Sequence, residues 1–412
     1  MTRRRRRSAA GRAVLTGVTV FGVLAGATLV GAAPAGAAPT GRRIAPGVTY
    51  RQFDIDAAAG TAHAHLLTID LANPHVRVDL LYPGAVAARA TVSRLADSAG
   101  AVAGVNGDFF NITETQHPGV EATGAAVGPA VAGGDTLKAA VPEGQRFGPS
   151  LPPGTNTQDV FGVGTDRRAR LDRMSLLGTV GTPAGRLPLK GLNQYALPVN
   201  SVGAFTARWG SASRMRSVCG TDTQRSAPCS TDTYEVKVQG GRVVSAAGDP
   251  GGGAIPGDTT VLVGREEGAQ QLRKLSVGDP VDVTHSLVAA SSGVPYTFAI
   301  GGFPILRDGT PLSGLDDTTS AVRTAVGYKG GGQQLLLLAL DGGADYRSGL
   351  TVAEEADAMQ SLGAAAAFNL DGGGSTELVA REDDDDAVRV RNHPSGGAER
   401  PVPNGIGVFS TL

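Results

Sequence analysis

Two apolar runs, each ending in an acid followed by glycines, with a helix signal between them, constrain this chain more than any other feature. Leu335 to Leu340 is wholly apolar and leads into Asp341-Gly342-Gly343. Ala364 to Leu370 is the second run and leads into Asp371-Gly372-Gly373-Gly374-Ser375. Short runs of this kind read as buried strands. Between them, Thr351-Val352-Ala353-Glu354 fits a capping box, in which the Thr hydroxyl accepts from a first-turn amide and the Glu reaches back. Val352, Ala356, Met359 and Leu362 then recur at helical spacing, and Gly363 is a natural stop. Strand, helix, strand predicts a right-handed βαβ crossover joining two parallel strands. The expected fold class is therefore α+β or mixed α/β: a strand-rich single domain with a βαβ crossover in its C-terminal third. Both strands would deliver their acids to one carboxyl-end edge, where open α/β sheets build sites.

The rest of the chain reads as strands broken by glycine. Glycine contributes 60 of 412 residues and aromatics only 5%, which favours tight turns and short strands. Leu66 to Leu71 and Val76 to Leu81 are strand-like, and Ala72-Asn73-Pro74-His75 between them predicts a hairpin. Thr91 caps a short helix to Ala99. Ala101 to Val105 is a buried strand running into Asn106-Gly107-Asp108-Phe109-Phe110. Residues 158–290 form a β-rich middle, with Tyr234 to Val238, Thr259 to Val263 and Pro280 to Thr284 as strands. The expected organisation is a leader over 1–37, an N-terminal strand region over 38–90 packed on the core, and a main domain over 91–412.

The leader reads as an export signal. Arg3 to Arg7 form a basic start, Ala13 to Ala33 is apolar, and Ala35-Gly36-Ala37 has a small-x-small cleavage form, so the mature chain is expected to begin near Ala38. A membrane anchor is the competing reading; small residues and glycine dilute the run and favour cleavage, leaving no stable membrane insertion. The leader removes six of 37 basic residues and none of 38 acids, leaving 31 against 38, a net charge of −7. That balance argues against a nucleic-acid binder. In a secreted, extracellular protein, the close pair Cys219 and Cys229 predicts a disulfide. The six histidines are scattered, and no Cys/His cluster has zinc-site spacing. The acidic run Asp383 to Asp386 lacks calcium-loop spacing and reads as a solvated hairpin tip.

Chemistry concentrates where polar residues leave apolar runs. Asn369 and Asp371 stand just before three glycines, whose backbone can approach a ligand closely and whose amides could receive an anion. Asn106 and Asp108 end another run. Arg323 precedes Thr324-Ala325-Val326-Gly327, and a guanidinium suits a phosphate. Taken in order, Asn106-Gly107-Asp108-Phe109-Phe110, Gly301-Gly302-Phe303-Pro304-Ile305-Leu306, Arg323-Thr324-Ala325-Val326-Gly327, Gly349-Leu350-Thr351 with Glu354, Asn369 to Ser375, and Asn392-His393-Pro394-Ser395 with Arg400-Pro401-Val402-Pro403-Asn404 resemble the phosphodiester glycosidase family over roughly residues 90–412.

That resemblance implies a sugar-phosphate glycosidase. Asp371, Asp108, Asp341 and Glu354 are the candidate catalytic carboxylates, with Glu354 equally suited to the capping box. Asn106, Arg323, Asn369, Gly372, Gly373, Gly374, Ser375 and Arg400 are the candidate substrate contacts. Phe303 stands where a smaller residue is expected and would narrow a pocket. The expected partner is a sugar-phosphate or polysaccharide substrate. No cofactor is required, and a divalent metal is left open. Two other readings compete: a non-catalytic cell-wall or polysaccharide-binding protein, which would want a row of aromatics, and a metal-dependent phosphodiesterase cleaving P–O, which would want clustered histidines.

Overall fold

The computed structural model describes residues 41–343, 345, 348–382 and 385–411. The leader over 1–37, together with Asp383 and Asp384 of the acidic run, lies outside the described residues. Residues 40–412 form one compact unit. Among the described residues, strands form sheets of eight, eleven and five. Strand accounts for 42% and helix for 10%, so the expected α+β or α/β class is replaced by a largely antiparallel β architecture.

The βαβ crossover is where the expectation fails. The strand Gln334–Leu340, the helix Val352–Ser361 and the strand Ala366–Asn369 all form, with Thr351 capping the helix in a capping box. The two strands are not neighbours, however. Thr324–Lys329 lies between them and runs antiparallel to both, pairing Ala325 with Leu338 on one side and with Asn369 on the other. The cause is local. Gly330, Gly331 and Gly332 all take positive φ, so Thr324–Lys329 turns straight into Gln334–Leu340, with Lys329 opposite Gln334. That hairpin occupies the edge a crossover would need, and Gly60–Asp70 occupies the other. The returning strand therefore pairs one place further out.

The hairpin expected at 66–81 also does not form. Gly60–Asp70 belongs to the eight-stranded sheet, whereas Val76–Leu81 pairs with Gly405–Ser410 in the five-stranded one. The Asn73-Pro74 turn switches sheets. Elsewhere local signals match: the helix Val92–Ala99 is capped by Thr91 and ends at Gly100 with φ 74°, and Thr233–Gln239 turns at Gly240-Gly241 into Arg242–Ala247.

The main core lies between the eight- and five-stranded sheets and part of the eleven-stranded one. Leu335 to Leu340 are all buried in it. Direct partners across an antiparallel pair share a face. Ala325 is opposite Asn369, Gly327 is opposite Ala367, and a Cβ on Gly327 would meet Met359. The helix Val352–Ser361 therefore covers this face. Phe368 points the other way, onto Phe161.

Candidate active site

The site forms where strand ends from two sheets abut. Ala103–Asn106, the central strand of the five-stranded sheet, leads into Asp108; Ala366–Asn369, an inner strand of the eight-stranded sheet, leads into Asp371. Backbone bonds fix the two turns together. Asp371 donates its N–H to Gly107 O at 2.8 Å, and Asn106 Nδ2 donates to Asp371 O at 2.6 Å. Asn106 Oδ1 accepts from Thr324 Oγ1 and from Glu377 N. The Asn106 amide is thus committed to holding strands together rather than to a sugar hydroxyl.

Asp108 is buried in a cradle of backbone. Its Oδ2 accepts from Gly128 N at 2.6 Å, and its own N–H donates to Asn404 Oδ1 at 2.9 Å. A Cβ at Gly301 would lie 2.4 Å from Oδ2, so glycine there is required for this approach. Oδ1 has no hydrogen-bond partner among the described residues. Burial pushes Asp108 above the usual carboxylate range, while the nearby Lys138 ammonium opposes the rise. Lys138 is itself buried and donates to the carbonyls of Val127, Gly128 and Ala139. Burial pulls Lys138 down to about 7, and the Asp108 charge opposes the fall.

Asp371 keeps some surface exposed, yet protein packs densely around it. Burial pushes its carboxyl up to about 7; bonding to Ser375 and the Arg400 charge oppose this, and the Asp108 charge adds to it. Arg400 Nη1 donates to Ser375 Oγ at 3.3 Å, and its guanidinium lies flat on Gly374, where a Cβ would sit 2.1 Å from Nη2. Asp108, Asp371, Ser375 and Arg400 are therefore brought together.

The other candidates are placed differently. Glu354 spends both oxygens on backbone, accepting from Ala58 N at 2.7 Å and Thr351 N at 2.8 Å, and these bonds hold it below the usual range. Arg323 donates to Leu350 O and Thr319 O, fastening the loop before the helix. Asn369 faces that helix, buried, with neither amide atom partnered among the described residues. Asp341 accepts from His65 Nε2 at 2.9 Å and from His393 N at 2.7 Å. Burial works against its charge, but these bonds outweigh it and hold Asp341 low. Tyr50 Oη lies 2.7 Å from His65 Nδ1, so the imidazole bridges Tyr50 and Asp341. Of the three glycine amides, that of Gly373 goes to Val322 O and that of Gly372 to Asp371 itself. The loop does not offer all three to an anion.

Several polar residues carried no sequence signal. Lys138 lies in an ordinary strand, and Asn404 was only the last letter of a motif. Glu355, beside the capping Glu354, is buried with both oxygens unpartnered among the described residues, and burial pushes it up to about 8. Glu377 is likewise buried and pushed up to about 8, by burial first and then by Glu399. Phe303 stacks on Phe109 with centroids 5.9 Å apart, walling the turn that carries Asp108.

Cys219 and Cys229 form the disulfide. Both lie with His117 in a group of potential metal ligands, but the disulfide removes their thiolates. His117 is bonded to Glu114, which also pairs with Arg216 at 2.6 Å. No helix among the described residues is long and apolar enough to cross a membrane.

The phosphodiester glycosidase family model matches residues 232–409, which include Asp371, Ser375 and Arg400. Residues 232–409 are thus similar to the phosphodiester glycosidase family. The fold of the chain resembles that of a hypothetical protein from Synechocystis, at 21% identity and TM-score 0.67, over 89% of this chain and 62% of that one. The chain thus spans less than two thirds of that relative's length. It also resembles a protein from Burkholderia pseudomallei described as a candidate exported protein, at 22% identity and TM-score 0.62, over 85% and 74% of the two chains. A looser likeness, 15% identity and TM-score 0.44 over 88% and 83%, is to the zebrafish N-acetylglucosamine-1-phosphodiester α-N-acetylglucosaminidase catalytic domain, auto-inhibited by its pro-peptide. No curated protein sequence matches the chain.

Proposed function

We propose that this protein is a secreted glycoside hydrolase that breaks the C–O bond of a sugar-1-phosphodiester or a related cell-surface glycoside. The observation that carries this reading is the convergence of Asp108 and Asp371, two crowded acids from different sheets, with Arg400 beside Asp371. Cleavage at an anomeric carbon builds positive charge on the sugar, which a carboxylate can stabilise, attack, or relieve by activating water. A phosphate departs as an anion and needs a cation more than a proton donor. Asp371 is the working carboxylate, Arg400 receives the phosphate, and Asp108 raises the proton affinity of Asp371. Lys138 and Gly128 fix Asp108 in place. Asp341 positions the loop that carries His393 and Ser395, whose hydroxyl bonds Gly373 O. The leader over 1–37 supports action outside the cell, on a sugar-phosphate or polysaccharide rather than a nucleic acid.

The test is hydrolysis of a panel of sugar-1-phosphodiesters in oxygen-18 water, read by mass spectrometry. Label in the sugar is expected. Label in the phosphate would mean P–O cleavage, and absence of any product across the panel would favour a binding role.

A further inference from the structure

A cavity of about 450 Å³ has a lining that includes Tyr82, Arg89, Ala90, Arg94, Leu95 and Ser98. Arg94 and Ser98 stand four apart on the helix Val92–Ala99 and so share a face. Among the described residues, no ion pair engages Arg89 or Arg94, whereas the neighbouring Arg208 pairs with Asp135 and Arg77 with Asp79. Arg89 is nonetheless positioned. Its guanidinium lies 5.7 Å from the Phe110 ring centroid, and a Cβ on Gly124 would come within 3.0 Å of its Cδ. Two guanidinium groups with unspent donors on the wall of one cavity make a receptor for a tetrahedral anion.

The cavity is tied to the acids by covalent chain and by backbone pairing. Phe110 follows Asp108 by two residues. Ala90 exchanges both backbone bonds with Val402, at 3.1 and 2.9 Å, midway between Arg400 and Asn404. Two residues of extended chain span roughly 7 Å, so the arginine cavity lies on the order of 10 Å from Arg400. Without the leader the chain carries 31 basic and 38 acidic residues, a net charge of −7, so attraction for a polyanion has to be local.

We propose that this cavity is a second anion site, taking a further phosphate on the leaving side of the substrate, so that the substrate is a chain with repeated phosphates. The proposal rests on the glycosidase reading for its substrate, but the binding site can be tested without turnover. Two substrates are compared, a sugar-1-phosphodiester with a neutral aglycone and one whose aglycone bears a second phosphate. In Arg89→Ala/Arg94→Ala, the ratio of kcat/KM for the second over the first should fall about tenfold or more, and Arg89→Lys/Arg94→Lys should recover part of it. In parallel, calorimetric titration of the two-phosphate compound into an Asp371→Asn background should show tighter binding with both arginines than without, weakening as salt rises. An unchanged ratio together with unchanged binding overturns the site. Arginine-dependent binding of inorganic phosphate with no preference for the two-phosphate compound overturns its assignment to substrate. Arginine-dependent binding of the two-phosphate compound in a protein that hydrolyses neither supports the site while removing the glycosidase reading.

Discussion

At Asp371 burial and charge pull in opposite directions, and the carboxyl's proton affinity records the balance. Crowding and the Asp108 charge raise it to about 7, while Ser375 and Arg400 keep it from rising further. If the carboxylate is the working form, activity should climb as pH rises through about 7. Asp371→Asn should remove that limb and lower turnover about a hundredfold or more, with little change in melting temperature. A folded variant with normal turnover would take Asp371 out of the mechanism. Arg400 and Arg323 should separate in the same assays. Arg400→Lys keeps the charge but loses the planar fork, so phosphodiesters should suffer more than neutral glycosides. Arg323→Lys releases the carbonyls of Leu350 or Thr319, so it should lower the melting temperature and reduce both activities alike. A selective loss on phosphodiesters in Arg323→Lys would restore it as a phosphate contact.

The helix Val352–Ser361 shows how one element can carry two opposed acids. Glu354 faces outward into the capping box and bonds Ala58 N, tying the helix to the first long hairpin. Glu355 turns inward. Met359 lies over Gly327, and one turn back along the helix, about 5.4 Å, matches two residues back along the strand, so Glu355 stands over Ala325 and its partner Asn369. Burial raises Glu355 from 4.5 to about 8, with the Arg323 charge opposing. The folded state therefore holds a proton that the unfolded chain releases near the ordinary glutamate value. This contribution is fully present below about pH 4.5 and is lost as pH rises through about 8. Glu355→Gln should flatten the fall in stability between those values, which is of the order of a few kcal/mol. Denaturant midpoints at a series of pH values would show it, and parallel curves for the two proteins would mean that Glu355 is ionised in the fold.

For the molecule as a whole, the disulfide closes a loop of ten residues beneath the buried Glu114–Arg216 pair. Alkylation without reductant should label neither cysteine, and reduction should remove roughly 2–3 kcal/mol of stability in the chain-entropy model. Full labelling would leave two free thiols. The sequence determined the pieces: the capped helix at 352–361, the buried strands that lead into Asp341 and Asp371, and the turn at Gly240-Gly241. Each follows from local periodicity, capping and glycine φ, which neighbouring residues suffice to set. It also marked Asp108, Asp371 and Ser375, because polar groups beside glycines at strand ends stand out against apolar runs, while Arg400 came only from the motif resemblance. Strand neighbours were decided only in three dimensions. The hairpin between Thr324 and Leu340 closes over three glycines, whereas the crossover spans a whole helix, so the shorter loop took the inner edge. The tertiary structure likewise gave each polar side chain its employment. Asn106, Arg323 and Glu354 met backbone partners from distant segments and became braces, while Lys138, Glu355 and Glu377, ordinary in sequence, became buried because of the layers that closed over them.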